Sequence, residues 1–262
     1  MVLIKIITDE TFMISTDPLF YLAAVPAILL TGVSKSGFGG IALFAVPIMA
    51  LVISPIEAAA IVLPLLLMMD AMGFYAWRGK AHWGHLRAML PGAVVGVIIG
   101  MLTATYVSAE QVRLFVGVLA VAFVLYQYLP RSKGMILDKK PRIVEGSLAG
   151  TFAGFTSYIA HAGSPPYHMY IIPKGLDKVS FAATGTYFFT LVNGLKFPAY
   201  IYSGQLTLDI GIQALVLAPL VPIGVYSGLW LNKKLDHALF YKIVYGSVFV
   251  IGLKLIGDSL FP

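Results

Sequence analysis

Six apolar runs, each about as long as a bilayer is thick, limit what this chain can fold into. They occupy 56–77, 86–106, 112–129, 181–202, 210–231 and 239–256, against the ~20 residues a helix needs to cross a hydrocarbon core. Shorter runs at 19–31, 41–53, 143–160 and 166–173 flank two glycine-rich motifs. A soluble fold could not hide this much apolar surface. The chain is 59% hydrophobic and 11% charged, where soluble domains carry roughly 25% charged residues. It reads as an all-α integral membrane protein. The segment 1–17 carries Lys5 with Asp9 and Glu10 and no small-residue cleavage site, which speaks against a removed signal peptide.

The two motifs are Gly32-Val33-Ser34-Lys35-Ser36-Gly37-Phe38-Gly39-Gly40 and Gly154-Phe155-Thr156-Ser157-Tyr158-Ile159-Ala160-His161-Ala162-Gly163-Ser164-Pro165-Pro166. Each reads as a break between short apolar segments and carries one cationic or potentially cationic side chain. Irregular backbone at membrane depth is tolerated where it is buried or lines a wet cavity, and an ionisable residue there points to function.

The motifs also recur. Lys35, Gly37 and Pro47 stand 126 residues before His161, Gly163 and Pro173. The pairs Gly79-Lys80 and Gly204-Gln205, Gly96/Gly100 and Gly224/Gly228, and Gly117 and Gly246 repeat at nearly the same offset. The chain therefore divides into an N-terminal segment 1–17, a first repeat 18–130, a basic linker 131–142 and a second repeat 143–262. Charge flips between matching loops. The 78–87 loop carries Arg78, Lys80 and Arg87 while 203–209 has no cation, and 107–111 holds only Glu110 while 232–237 holds Lys233 and Lys234. Under the positive-inside rule the second repeat is inverted relative to the first. Loops 78–87, 131–142, 174–178 and 232–237 are then cytoplasmic and both termini lie outside. An inverted pair needs an odd number of crossings per half. Because 41–53 covers only about 20 Å at 1.5 Å per residue, a re-entrant hairpin plus about three full spans per repeat is expected, giving 8–10 membrane segments. That is the plan of secondary transporters with a midplane site.

The breaks suit a small oxyanion. Gly37, Gly39 and Gly40 precede one short helix, and Pro165 and Pro166 suit the start of the other. Free N–H groups and the dipole at a helix N-terminus attract anions. Lys35 adds charge, Ser34, Ser36 and Ser164 add hydroxyls, His161 adds charge when protonated, and Gly163 completes the second turn. Asp70 and Lys196 fall at equivalent positions, with Asn193 beside Lys196. Asp70, His161 and Lys196 are the candidates for proton or ion coupling, and Thr184, Thr186 and Asn193 are further inward-facing candidates. An inverted repeat sends Asp70 and Lys196 towards opposite faces, which disfavours a direct bridge between them. Simpler readings stand alongside: glycine pairs such as Gly96/Gly100 serve close packing, Lys35 snorkels, His161 is structural, and Tyr200, Tyr202 and Trp230 form an interfacial belt.

These motifs resemble the sulfite exporter TauE/SafE family, whose halves each begin with a Gly-rich motif ahead of a proline-ended short helix, here ending at Pro47 and Pro173. The resemblance covers 18–258. It implies a bacterial inner-membrane, multi-pass permease for sulfite, organosulfonates or related sulfur oxyanions. Ser164-Pro165-Pro166 replaces a strict Gly-Gly doublet in the second half, so the half-sites are chemically unequal.

The expected function is secondary transport of a small anion by alternating access. No G-x-x-x-x-G-K-[ST] motif occurs, so energy comes from a gradient or a separate subunit. The expected partners are the anion and the lipid bilayer; a homodimer is compatible with the chain. The net charge of +6 sits at membrane boundaries, so no nucleic-acid partner is expected, nor a cofactor, a metal or catalysis. The alternatives are an anion channel using the same donors, or an intramembrane metal-dependent enzyme with His161, His168 and Asp70 as ligands.

Overall fold

The computed structural model describes residues 15, 17–35, 44–104, 106–128, 140–234 and 237–261, and every element among them is helical. The first part of the chain forms α1 (Pro18–Val33), the short α2 (Ala45–Met49), α3 (Pro55–Ala76), α4 (Trp83–Ala104) and α5 (Ala109–Tyr128). The second forms α6 (Ile143–Ala160), α7 (Ser164–Ile171), a single turn Ile172–Lys174, α8 (Lys178–Tyr202), α9 (Leu208–Leu217), α10 (Leu220–Lys234) and α11 (His237–Leu260). Ser36, Gly37, Gly39, Gly40 and most of the expected linker, 131–139, lie outside the described residues.

Local chemistry sets several helix starts. Asp17 accepts the Leu19 N–H at 2.9 Å with Pro18 in the first turn of α1. Ser54 accepts the Glu57 N–H at 3.1 Å with Pro55 following, and proline suits a first turn because its missing N–H would be unpaired there anyway. Asp177 accepts from the N–H groups of Val179 and Ser180 at the start of α8. The Ser180 hydroxyl and N–H hold its carboxyl below the usual carboxylate range. The apolar run 210–231 is not one straight helix. Pro219 has no N–H and its ring crowds the carbonyl four residues back, so Leu208–Leu217 and Leu220–Gly228 meet at 46°.

Among the described residues Pro55–Tyr75 and Trp83–Ala104 are each long and apolar enough to cross a bilayer, and the bent pair Leu208–Leu217 and Leu220–Gly228 passes the same test when taken as one span. α8, with 25 residues, is ~37 Å long at 1.5 Å per residue. The exterior is as apolar as the interior. Along α4, Val95, Ile98, Ile99 and Leu102 are exposed while Gly92, Gly96 and Gly100 are buried. Hydrocarbon outside removes the hydrophobic drive between helices, so close backbone approach through small residues takes its place. α4 and α6 interlock this way. A Cβ on Gly92 would fall 1.8 Å from the Ser147 carbonyl oxygen, and one on Gly150 would fall 2.0 Å from that of Met89. Gly96, Gly100 and Gly224, read as packing residues, do pack against neighbouring helices.

The main helix pairs are α4 with α6, α5 with α11, α1 with α10 and α3 with α8; α4 also packs on α8, and α9 on α3. At one end Tyr170 ties three chain segments together. Its hydroxyl accepts the Arg142 N–H at 3.3 Å and meets His85 Nδ1 at 3.1 Å, and Lys174 Nζ lies 4.9 Å from its ring centre. Lys174 also pairs with Glu145 at 3.6 Å. The hairpin of α6 and α7 thus returns to the end from which it started. A cleft of about 260 Å³, lined by Glu145, Tyr170 and Lys174 among others, opens there.

Candidate functional site

The second break is narrower than its motif. Gly154, Ser157 and Tyr158 are helical, because α6 runs to Ala160 and only His161, Ala162 and Gly163 interrupt the chain before α7. His161 adopts φ 52°, the one non-glycine residue among those described with positive φ. That conformation is uncommon but enriched in histidine, and it costs of order 1–3 kcal/mol unless its surroundings enforce it. Here they do. The N–H groups of His161 and Ala162 bond back to the carbonyls of Ser157 and Thr156. The ring is held at both nitrogens: Nε2 lies 2.8 Å from the Ala59 carbonyl oxygen and Nδ1 lies 2.6 Å from Lys196 Nζ. A carbonyl only accepts, so Nε2 carries the proton and Nδ1 is the acceptor. The tautomer follows from the partners.

Lys196, in α8, is fully buried. Besides His161 it donates to the carbonyl and to the hydroxyl of Ser157, both at 3.0 Å. On the first-half side Lys35, just past α1, forms an ion pair with Asp70 of α3. The second Asp70 oxygen accepts from Asn193 Nδ2 at 2.6 Å. Asp70 is fully buried, Asn193 nearly so, and Lys35 is 18% exposed. The two clusters adjoin, since Asn193 and Lys196 are three apart on α8 and share a face. Lys196 lies within electrostatic reach of Asp70 and Lys35. No bond joins Asp70 to Lys196; each pairs with the residue at its own break.

The spacing of these pairs is identical. Lys35 and Asp70 are 35 residues apart, and so are His161 and Lys196. Five of the sequence candidates (Lys35, Asp70, His161, Asn193 and Lys196) gather in these two adjoining clusters. Ser34 is buried beside it. Gly163 precedes α7, and Ser164, Pro165 and Pro166 form its first turn. The two prolines carry no N–H, so this N-terminus offers fewer amide donors than a helix start otherwise would.

Other candidates go elsewhere. The Thr184 hydroxyl donates to the Ser180 carbonyl at 2.6 Å and accepts the His82 N–H at 2.9 Å, pinning the start of α4. His161, His168 and Asp70 do not gather: the His168 ring stacks on Phe181 at 5.8 Å, and His161 and Asp70 hold the partners given above. Tyr202 and Trp230 are exposed as belt residues would be, but Tyr200 is buried and donates to the Tyr158 carbonyl. Its ring stacks 6.4 Å from that of His161. Tyr158 and Tyr200, with Ala59 and Gln205, enclose a space of about 10 Å³, room for no more than a water molecule.

Residues 24–255 match the family model of the sulfite exporter TauE/SafE. The chain belongs to the sulfite exporter TauE/SafE family. No curated protein and no solved structure matches it. TauE/SafE proteins are membrane transporters of sulfur compounds, and the apolar exterior around a charged interior described above is what such a role requires.

Two residues of this TauE/SafE site lay outside the sequence candidates. Ser157 precedes His161 by four, and Tyr200 follows Lys196 by four, so helical periodicity carried both to the site. Tyr167, in the first turn of α7, is buried beside Gly185 of α8 with a hydroxyl that has no hydrogen-bond partner among the described residues.

Proposed function

We propose that the protein is a secondary transporter of a small sulfur oxyanion, sulfite or an organosulfonate, carried by alternating access of two inverted repeats, 18–130 and 143–262, joined by the linker 131–142. One observation carries the proposal. Two buried or part-buried lysines share a single carboxylate between two adjoining clusters: Lys35 is paired with Asp70, while Lys196 has only neutral partners, so a protonated Lys196 carries a positive charge that no side chain bonded to it balances, where charge is costly. A bound anion offsets that charge.

The pattern of packing supports a two-fold relation between the repeats. If α1 corresponds to α6, α3 to α8, α4 to the bent α9–α10 pair and α5 to α11, then α1 on α10 is the counterpart of α6 on α4. Likewise α4 on α8 is the counterpart of α9 on α3, while α3–α8 and α5–α11 lie across the axis. The equal 35-residue spacing of the two break contacts obeys the same correspondence. The return of α6–α7 to its starting end supports a re-entrant hairpin, with Tyr170 and Lys174 on the cytoplasmic side of a bacterial inner membrane.

Purified protein in liposomes tests the proposal. Labelled sulfite, thiosulfate and methanesulfonate are offered beside acetate and phosphate, with and without unlabelled substrate trapped inside. Saturable uptake of a sulfur oxyanion, accelerated by trapped substrate, is expected. Uptake without saturation or counterflow would establish a channel instead, and transport of acetate or phosphate alone would discard the sulfur assignment.

A further inference from the structure

Lys196 is satisfied by hydrogen bonds yet unmatched in charge. Its three bonding partners, the Ser157 carbonyl, the Ser157 hydroxyl and His161 Nδ1, are all neutral. The site carboxylate is already engaged, because both Asp70 oxygens accept, one from Lys35 and one from Asn193. Asp70 therefore has no acceptor to which a carboxylic-acid proton could be given. A lone ammonium in a membrane interior is expensive, and the pair it forms with a neutral imidazole is the place where a proton can leave.

The local geometry accommodates both states without moving a heavy atom. As an ammonium, Lys196 donates to all three partners. As an amine it keeps two N–H bonds, to the Ser157 carbonyl and His161 Nδ1, and its lone pair accepts from the Ser157 hydroxyl. Of the three partners the hydroxyl alone can both accept and donate, and turning it about its C–O bond converts one arrangement into the other. His161 stays as the Nε2–H tautomer in both, held by the Ala59 carbonyl.

We infer that Lys196, with His161 and Ser157, is the proton-coupling site of the transporter: one proton binds to the Lys196 amine each time a monovalent oxyanion binds, and both are released together. The inference rests on the anion-transport proposal above. With the proton absent, the site holds the neutralised Lys35–Asp70 pair and nothing more. With it present, one positive charge awaits the anion.

The other charged and titratable groups around the pair do not supply this proton by themselves. Asp70 on α3 and Lys35 beyond α1 neutralise each other. Tyr158 on α6 and Tyr200 on α8 are phenols, neutral at physiological pH, as is Tyr167 on α7. Glu57 sits in the first turn of α3, and His85 of α4 is bonded to Tyr170 at 3.1 Å.

The test measures anion binding and proton uptake on the same sample of detergent-purified protein. Methanesulfonate serves as the stoichiometric probe because it has no titratable proton of its own near neutrality; binding is read by calorimetry and proton uptake by a pH dye in weak buffer. Linkage is reciprocal, so methanesulfonate affinity is expected to fall about tenfold per pH unit once the free pair is deprotonated. Binding that takes up no proton and does not depend on pH would overturn the inference while leaving the transporter standing. Lys196→Arg keeps a positive charge that cannot be given up; it is expected to bind methanesulfonate without taking up a proton and without dependence on pH. Unchanged uptake in Lys196→Arg would also count against the inference. If no sulfur oxyanion binds, the transporter proposal fails, and the pair is judged by ¹⁵N-histidine NMR of the free protein. There the Nδ1 resonance absent from His161→Gln is expected to shift with pH in the wild type and to stay fixed in Lys196→Met. A resonance that stays fixed in the wild type overturns the pair.

Discussion

Lys35 and Asp70 depend on each other. Asp70 is fully buried, and removing one member of a buried pair leaves the other uncompensated, typically at about 3–5 kcal/mol. Asp70→Leu alone is therefore expected to destabilise the protein by about 3 kcal/mol, less whatever relief the partly exposed Lys35 finds in water. The double variant Lys35→Met with Asp70→Leu is expected to recover the melting temperature but not transport, read by thermal unfolding in detergent and by vesicle uptake. Tyr167→Phe takes away a hydroxyl with no partner among the described residues, so stability is expected to hold or rise. Thermal unfolding in detergent checks it. Much at this scale was legible in the sequence. Lys35, Asp70, His161 and Lys196 stand out as ionisable residues in apolar surroundings and recur at a 126-residue offset. Their pairing was not legible from that offset, which relates Lys35 to His161 rather than to Asp70. The packing of α1 on α3 and of α6 on α8 makes it. Tyr200 was read as interfacial because an aromatic near a helix end looks the same from sequence whether it turns outward or stacks on His161.

Helices in this protein are placed by backbone contact, and glycine is what permits it. On the α4–α6 seam a Cβ at Gly150 would overlap the Met89 carbonyl oxygen. The helices would have to part, carrying the end of α6 and hence His161 away from Ala59 and Lys196. Gly150→Ala is expected to cost about 2–3 kcal/mol, as overpacking does, and to abolish transport. Gly211→Ala in α9 meets nothing within 4 Å and is expected to gain about 0.5–1 kcal/mol from helix propensity; paired melts of the two variants check both. Helix existence was readable from the apolar runs, whose limits agree closely with α3, α4, α5 and α8. Two features were not. The extent of the second break was overestimated because Gly154 suggested flexibility, whereas in α6 it serves close packing against Ala93. The 46° bend after Leu217 was missed because apolarity continues through Pro219 while the hydrogen-bond ladder does not.

The whole molecule has a sidedness that the absence of cysteine makes simple to examine. Lys80 lies in an exposed turn between α3 and α4, and Tyr202 is exposed at the other end of α8. Single cysteines at these positions are expected to react with a membrane-impermeant maleimide from opposite faces, Lys80→Cys from the cytoplasm and Tyr202→Cys from outside. Labelling from the same face would rule out the inverted arrangement.

The matched Lys35–Asp70 pair has an electrical consequence. An isolated charge carried across a membrane exchanges about 2.3 kcal/mol with every 100 mV of potential. On the proposed cycle, with Lys35 already balanced, the site crosses neutral when empty and deprotonated, and neutral again when it holds one proton and one monovalent oxyanion. Voltage then does no work on either crossing. Uptake into vesicles is expected to follow an imposed pH difference and to ignore a potassium–valinomycin potential of the same size, so that the carrier turns over without drawing current.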